Sequence, residues 1–259
     1  MHVSAIHVYP IKSLRGSSVQ QALVCAQGLE HDRRWMLVNQ AAQMITQREC
    51  TTLATFTATV ESAVLRVNVP GRDDIVVPLD AGGWTDREVK VDVWGHGYVG
   101  VAAADSINTA FSEATGIECR LLSIRADVFR TKRDVAFHDD GPILMIGESS
   151  LEALNAHLDV PLPMNRFRPS IVVSGAEAFE EDTWARVRIG EVTLRAVKPC
   201  LRCVITTVDQ AAGLFAGPEP LRTLATFRRK DEGVAFGQYY RPESPGVAIR
   251  VSDEVSAIA

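Results

Sequence analysis

Six consecutive residues, Lys198-Pro199-Cys200-Leu201-Arg202-Cys203, set two thiols three positions apart with cations before and between them. Such a pair can be a redox couple, half of a zinc site or two buried thiols, and its reactivity depends on thiolate formation beside cations. Lys198 and Arg202 supply the cations. Cys25, Cys50 and Cys119 stand alone and no closely spaced His pair follows, so the second half of a tetrahedral zinc set is missing. A thioredoxin-like pair would open a helix after a strand, whereas Val204-Ile205-Thr206-Thr207-Val208 is a β-branched run that reads as a strand. The odd, sparse set of five cysteines predicts free thiols rather than a disulfide framework.

Basic residues stand beside turn signals at Lys12-Ser13, Arg33-Arg34, Arg48 and Arg166-Phe167-Arg168-Pro169. If folding gathers them, they form a pocket for phosphate or carboxylate, which the planar guanidinium fork suits. Asp139-Asp140-Gly141-Pro142 reads as a turn. Gly95-His96-Gly97-Tyr98-Val99-Gly100 spells a dinucleotide fingerprint, but its surroundings predict a glycine hairpin. Gly147-Glu148-Ser149-Ser150-Leu151 lacks the second glycine of a nucleophile elbow, so a serine hydrolase is not supported.

Positioning these groups falls to 259 residues, 46% hydrophobic and 23% charged, enough for a full core without disulfide or metal staples. With 27 Lys and Arg against 32 Asp and Glu, the formal net charge of −5 argues against a nucleic-acid coat, and any anionic partner must meet a local cluster. No apolar run approaches the roughly 18 residues of a membrane helix, and the first residues lack a signal-peptide pattern, which predicts a cytoplasmic protein without a membrane partner. Residues 3–9, 35–38 and 65–69 read as short strands between turns, pointing to a small barrel or strongly bent sheet. A helix is expected over 105–115, capped by Asp105 and ended by Gly116, and another over 149–158. Arg125, Arg130, Lys132 and Arg133 read as a basic link between the halves, and strands return at 171–173, 185–189, 192–197, 204–208 and 247–251.

In order and spacing these segments resemble a known family. Tyr9-Pro10-Ile11-Lys12-Ser13, His31-Asp32-Arg33-Arg34-Trp35 and Thr46-Gln47-Arg48-Glu49 are similar to the N-terminal β-barrel module of the molybdenum-cofactor sulfurase C-terminal (MOSC) superfamily. Asp139-Asp140-Gly141-Pro142, Arg166-Phe167-Arg168-Pro169, Cys200-Leu201-Arg202-Cys203 and Phe236-Gly237-Gln238-Tyr239 are similar to the MOSC domain itself. The resemblance implies a mostly β (α+β) protein with few peripheral helices, an N-terminal barrel-like module over 1–123 and a MOSC β-barrel over 124–259, with the site between them. It implies binding of the molybdenum cofactor, molybdopterin, with Cys203 as metal ligand and catalytic residue, Arg202 stabilising its ionised sulfur and Cys200 behind it. Lys12, Ser13, Arg33 and Arg168 match positions that hold the pterin and its phosphate. Asp139, Asp140 and Gly141 fall on the cofactor-lining turn, and Arg48 and Arg166 extend the cation cluster.

The implied reaction, as in amidoxime-reducing and hydroxylaminopurine-reducing relatives, is reduction of N-hydroxylated compounds by oxygen-atom transfer. No iron–sulfur domain is expected after Ala259 and no membrane anchor before Met1, so electrons would come from a separate flavin or iron–sulfur protein. The alternative is a sulfur or molybdenum-cofactor carrier or transferase that uses a Cys203 persulfide. A third reading is a module whose basic cleft binds another phosphate ligand.

Overall fold

A computed structural model describes residues 1–124 and 136–258, so the basic link at Arg125, Arg130, Lys132 and Arg133 lies outside the described residues. The larger sheet runs Ser17–Val19, His2–Val8, Ile171–Ser174, Ile143–Gly147, Gly233–Pro242, Val192–Leu201, Arg186–Ile189 and Val255–Ile258 in spatial order. Its far edge returns to His2–Val8: the Val255 N–H donates to the Met1 carbonyl at 2.9 Å, and the Val3 N–H donates to the Asp253 carbonyl at 2.9 Å. Closure makes this sheet a barrel. Alternate residues such as Val3, Ile6, Ile171, Val173, Val187, Ile189 and Leu194 turn inward and are fully buried, the period-2 pattern of a strand with one face in the core.

Ile143–Gly147 and Ile171–Ser174 are parallel neighbours. Parallel strands need a crossover, and here it carries helix Glu148–Asn155 and the 3₁₀ turn Met164–Arg166, delivering Arg168 to the barrel's end. The rest of the N-terminal half forms a four-stranded sheet (Trp35–Asn39, Cys119–Ile124, His96–Ala103, Trp84–Val93) and a three-stranded one (Thr57–Glu61, Val64–Asn68, Ile75–Pro78). Helix Asp105–Thr115 packs with them, burying Ile107 and Phe111 among Leu37, Leu65, Val67 and Leu121. The N-terminal strand Gln21–Cys25 pairs with Ala248–Arg250, so the chain's two ends interweave.

The fold is mostly β with few helices, and several local expectations meet the structure with differences. Trp84–Val93 and His96–Ala103 form the expected hairpin, turning through Trp94 and Gly95 at φ 56° and 80°, the mirror-image turn that suits strand twist. Helix Asp105–Thr115 ends at Gly116 with φ 70°, but its N-cap is Ala104; Asp105 lies inside the first turn, where its charge favours the helix dipole without capping it. Helix Glu148–Asn155 stops three residues short of the expected end because the Asn155 side chain closes a loop, donating to the Leu162 carbonyl and accepting from its N–H. The strand expected over 204–208 is a 3₁₀ turn, Val204–Thr207. Thr206 and Thr207 donate their hydroxyls to the carbonyls of Cys203 and Val204, a local bond that competes with sheet pairing. The strand expected over 192–197 instead runs to Leu201 and carries Pro199 and Cys200 into the sheet. Among the described residues no helix is long and apolar enough to cross a membrane.

Gly237 tests the packing of this barrel. Its φ is +80°, and an added Cβ would lie 2.7 Å from Ile146 Cγ1 and 2.9 Å from the Met145 carbonyl oxygen. Gly237→Ala should cost about 3 kcal/mol of unfolding free energy, from the left-handed backbone and the clash together. Urea denaturation checks this; a loss below about 1 kcal/mol would show that the strand relaxes.

Candidate functional site

A cleft of about 350 Å³ lies where the barrel meets the N-terminal sheets. Of the residues singled out in the sequence, Lys12, Ser13, Arg33, Arg48, Asp139, Asp140, Arg168, Arg202 and Cys203 line it. Arg166 does not. Its guanidinium is buried, donates to Asp209 Oδ2 at 3.0 Å, and leaves Nε and Nη1 without partners among the described residues. Asp209 also accepts the N–H groups of Ala211 and Ala212, so the ion pair braces the chain that follows Cys203.

The Lys12 turn hangs from the strand beside it: the Lys12 N–H donates to the Trp35 carbonyl at 2.7 Å. Its ammonium is buried and reaches the Phe137 carbonyl at 3.0 Å and Asp139 Oδ1 at 2.5 Å. Trp94 Nε1 donates to the same carboxylate oxygen at 3.0 Å. Crowding by protein would raise the Asp139 pKa, but the Lys12 ammonium and these hydrogen bonds hold it well below the usual carboxylate range. Asp139 is therefore an acceptor here.

Tyr9 organises the opposite wall. Its N–H donates to Asp32 Oδ1 at 2.7 Å and its hydroxyl to the Pro169 carbonyl at 3.1 Å. The Arg33 and Arg168 guanidinium carbons stand 4.1 and 4.5 Å from the centre of its ring. Arg33 also pairs with the buried Asp32 carboxylate at 2.5 Å. Arg168 has no carboxylate within ion-pair distance among the described residues. Burial lowers its pKa to about 10, with Arg33 adding repulsion against the pull of Tyr9 and the nearby aspartates. His138 lies behind this wall, its Nε2 2.8 Å from the Gln27 carbonyl, and burial outweighs the pull of Asp32 to bring its pKa down to about 4.

The two thiols differ. Cys200 is buried, and Arg202 donates to its sulfur at 2.6 Å and to the Phe167 carbonyl at 2.6 Å; burial nonetheless raises the thiol's pKa. Cys203 is partly exposed in the cleft, and the guanidinium hydrogen-bonded to it is that of Arg48, with Nη2 3.1 Å from Sγ. Lys198 turns away from both thiols to pair with Asp140 at 2.7 Å.

Arg48 is itself positioned by its neighbours. Trp94 presents its ring 4.8 Å from the Arg48 guanidinium carbon. The adjacent Gln47 is fully buried, donates to the Ser13 carbonyl at 2.7 Å, and accepts from Gln210 Nε2 at 2.9 Å. Ser13, Arg33, Trp94 and Arg168 all have φ between 50° and 68°, a left-handed backbone that costs roughly 1–2 kcal/mol per residue.

Sequence reasoning missed Trp94, Gln210 and His138 as parts of the site, and gave Tyr9 and Gln47 no role there although both stand in the segments that carry the family resemblance. The one available signal for Trp94 was its place beside the Gly95 turn, which puts a large ring at a hairpin tip. Gln210 carried none, since it is ordinary until the fold sets it against Gln47.

Residues 132–256 match the MOSC domain and residues 1–118 the MOSC N-terminal beta barrel domain. The chain is 36% identical to mitochondrial amidoxime-reducing component 1 of Xenopus laevis, covering 98% of this chain and 81% of that protein. Its identity to mitochondrial amidoxime-reducing component 1 of Homo sapiens is 33%, over 98% and 82%. It is also 31% identical to a molybdenum cofactor sulfurase of Oryza sativa subsp. japonica, over 92% of this chain but 32% of that protein.

His138 makes the folded cleft sensitive to acid. The ring stays neutral when folded down to about pH 4, whereas an unfolded His binds its proton near pH 6.5. Between those values the unfolded state holds more protons, so stability falls as pH falls, by at most about 3 kcal/mol from this group. Unfolding free energies of wild type and His138→Gln measured from pH 7 to pH 4 should diverge with that slope, the variant losing less. Parallel curves would remove the assignment.

Proposed function

The chain belongs to the MOSC family, with a MOSC domain and a MOSC N-terminal beta barrel, and we propose that it binds the molybdenum cofactor in the cleft and reduces N-hydroxylated compounds there. The residues present fit that group. Five basic side chains, Lys12, Arg33, Arg48, Arg168 and Arg202, line the cleft against two carboxylates, Asp139 and Asp140, in a chain whose net charge is −5. That excess suits an anionic ligand, and Arg168 in particular lacks a counter-ion among the described residues. No three His, Cys, Asp or Glu side chains gather as a metal set among the described residues, so a metal here brings most of its ligands with it. One soft donor is on offer in the open cleft, the Cys203 thiol. The observation that carries the reading is this sulfur, 3.1 Å from Arg48 in the same cleft as Arg33 and Arg168.

In this reading Lys12, Ser13, Arg33 and Arg168 hold the phosphate and pterin, and Cys203 ligates the metal as a thiolate. When bound, the cofactor supplies two-electron oxygen-atom-transfer chemistry. Arg48 offsets the charge on the sulfur and, with Trp94, frames the mouth through which substrate enters. The overall change is R–NHOH plus two electrons and two protons to R–NH₂ plus water. Asp139 is ionised and accepts, so it is not the proton donor. Electrons arrive from a separate flavin or iron–sulfur protein.

Cofactor-loaded wild type, Cys203→Ala and Arg48→Ala should be compared for metal content and for reduction of a hydroxylamine with an artificial donor. Cys203→Ala should lose at least about 100-fold in turnover, and Arg48→Ala about 10-fold, the scale of a group that tunes a metal ligand. Equal turnover in Cys203→Ala and wild type would sink the role of the thiolate. Cyanolysable sulfur on Cys203 without reductase activity would move the assignment to sulfur transfer.

A further inference from the structure

Among the described residues, Trp94 is the one exposed large apolar side chain that lines the cleft. We propose that Trp94 is a specificity-determining residue, a platform on which aryl N-hydroxylated compounds stack in preference to alkyl ones. The proposal rests on the reductase reading of the cleft.

Three observations carry it. The first is exposure against expectation. Trp94 is 45% exposed, although aromatic rings carry the largest apolar areas and are ordinarily buried. Its place at the hairpin tip does not account for it. The backbone there is left-handed, with φ 56°, a conformation that suits Asn, Asp or Gly and that a bulky side chain rarely adopts. Turn geometry and core packing therefore both argue for a smaller polar residue, and the ring must be accounted for by what it faces. The second is rigidity. Nε1 donates to Asp139 Oδ1 at 3.0 Å, and the Arg48 guanidinium carbon lies over the ring, 4.8 Å from its centre. Two tethers from different loops fix the plane of the indole while much of its surface stays open. A surface fixed before binding loses little freedom when a second ring lies on it.

The third is place. Arg48 touches both the Trp94 ring and, with Nη2 at 3.1 Å, the Cys203 sulfur, so a single side chain separates the platform from the thiol. Leu201 and Ile205, two residues to either side of Cys203, line the same cleft and add apolar wall. A substrate whose N–OH group is directed at Cys203 therefore has its body within reach of the indole. A phenyl group on that body can cover the ring, whereas a methyl group in its place covers little of it. The gain comes from dispersion and from apolar area removed from water, so it follows the size and flatness of the substituent.

Cofactor-loaded wild type, Trp94→Leu and Trp94→Phe, with molybdenum content measured for each, should be assayed on benzamidoxime and acetamidoxime with an artificial donor. The two compounds carry the same reacting group and differ in phenyl against methyl. The benzamidoxime-to-acetamidoxime ratio of kcat/KM should fall at least about tenfold in Trp94→Leu, mainly through KM, and stay within about threefold of wild type in Trp94→Phe, the scale of one ring stacked on another. Disturbance of Arg48 or Cys203 would slow both compounds alike and cancels in the ratio. A second readout needs no turnover. Without a donor, benzamidoxime should quench the tryptophan fluorescence of loaded wild type saturably, and Trp94→Leu should lack that component. An unchanged ratio in Trp94→Leu, or the same saturable quenching in that variant, would overturn the platform and leave the reductase reading in place. Reduction of neither compound by loaded wild type would sink that reading and the platform with it.

Discussion

The cleft depends on one tyrosine holding two like charges in place. Arg33 and Arg168 come from loops far apart in sequence, and both guanidinium groups rest against the Tyr9 ring. Left alone they would repel, and burial would make each more costly. The ring's quadrupole attracts both, Asp32 neutralises one, and the other is left to face the cleft. Tyr9 also fixes the loops that carry them, since its N–H bonds Asp32 beside Arg33 and its hydroxyl bonds Pro169 beside Arg168. One residue thus sets both the spacing and the excess of positive charge.

The barrel makes that arrangement possible. His2–Val8 is antiparallel to Ile171–Ser174, with Ile6 opposite Ile171 and the His7 N–H bonded to the Ser170 carbonyl. The end of the first strand therefore meets the beginning of the other, which puts Tyr9 and Lys12 beside Arg168. Because the strands are pinned by a closed sheet with a fully buried core, the loops at their ends can be held in left-handed conformations that an isolated loop would abandon. The strain sits where the rigid part of the fold can maintain it.

Much of this was legible in the sequence, and the exceptions have two causes. Turn residues beside Lys12, Arg33 and Arg168 mark where chain direction changes, and apolar alternation marks strands, so the cationic loops and the β-rich class could be read from local pattern. Local pattern also misled. Val204 to Thr207 are β-branched, yet their threonine hydroxyls satisfy nearby carbonyls and curl the chain into a 3₁₀ turn. Proximity in sequence made Arg202 the natural partner for Cys203, but Arg202 binds Cys200 and the main chain at Phe167, while Arg48, 155 positions away, reaches Cys203. Arg166 shares a motif with Arg168 and sits outside the cleft. For Cys203 and for Arg166 the decisive partners, Arg48 and Asp209, are distant in sequence, and only the fold brings them near.

That distance has a consequence for how the site is assembled. The segment matching the N-terminal beta barrel domain provides Lys12, Ser13, Arg33, Arg48 and Trp94, and the segment matching the MOSC domain provides Asp139, Arg168, Arg202 and Cys203. The partly exposed thiol of Cys203 and the cation that contacts it, Arg48, come one from each segment. The join is made by buried polar groups: Gln47 and Gln210 exchange amide hydrogen bonds, and their remaining capacity goes to the carbonyls of Ser13 and Val208. Buried amides are costly unless every group is satisfied, so this pairing tolerates little displacement of one segment against the other. The geometry around Cys203 is therefore a property of the interface, set by the same contacts that hold the two halves of the chain together.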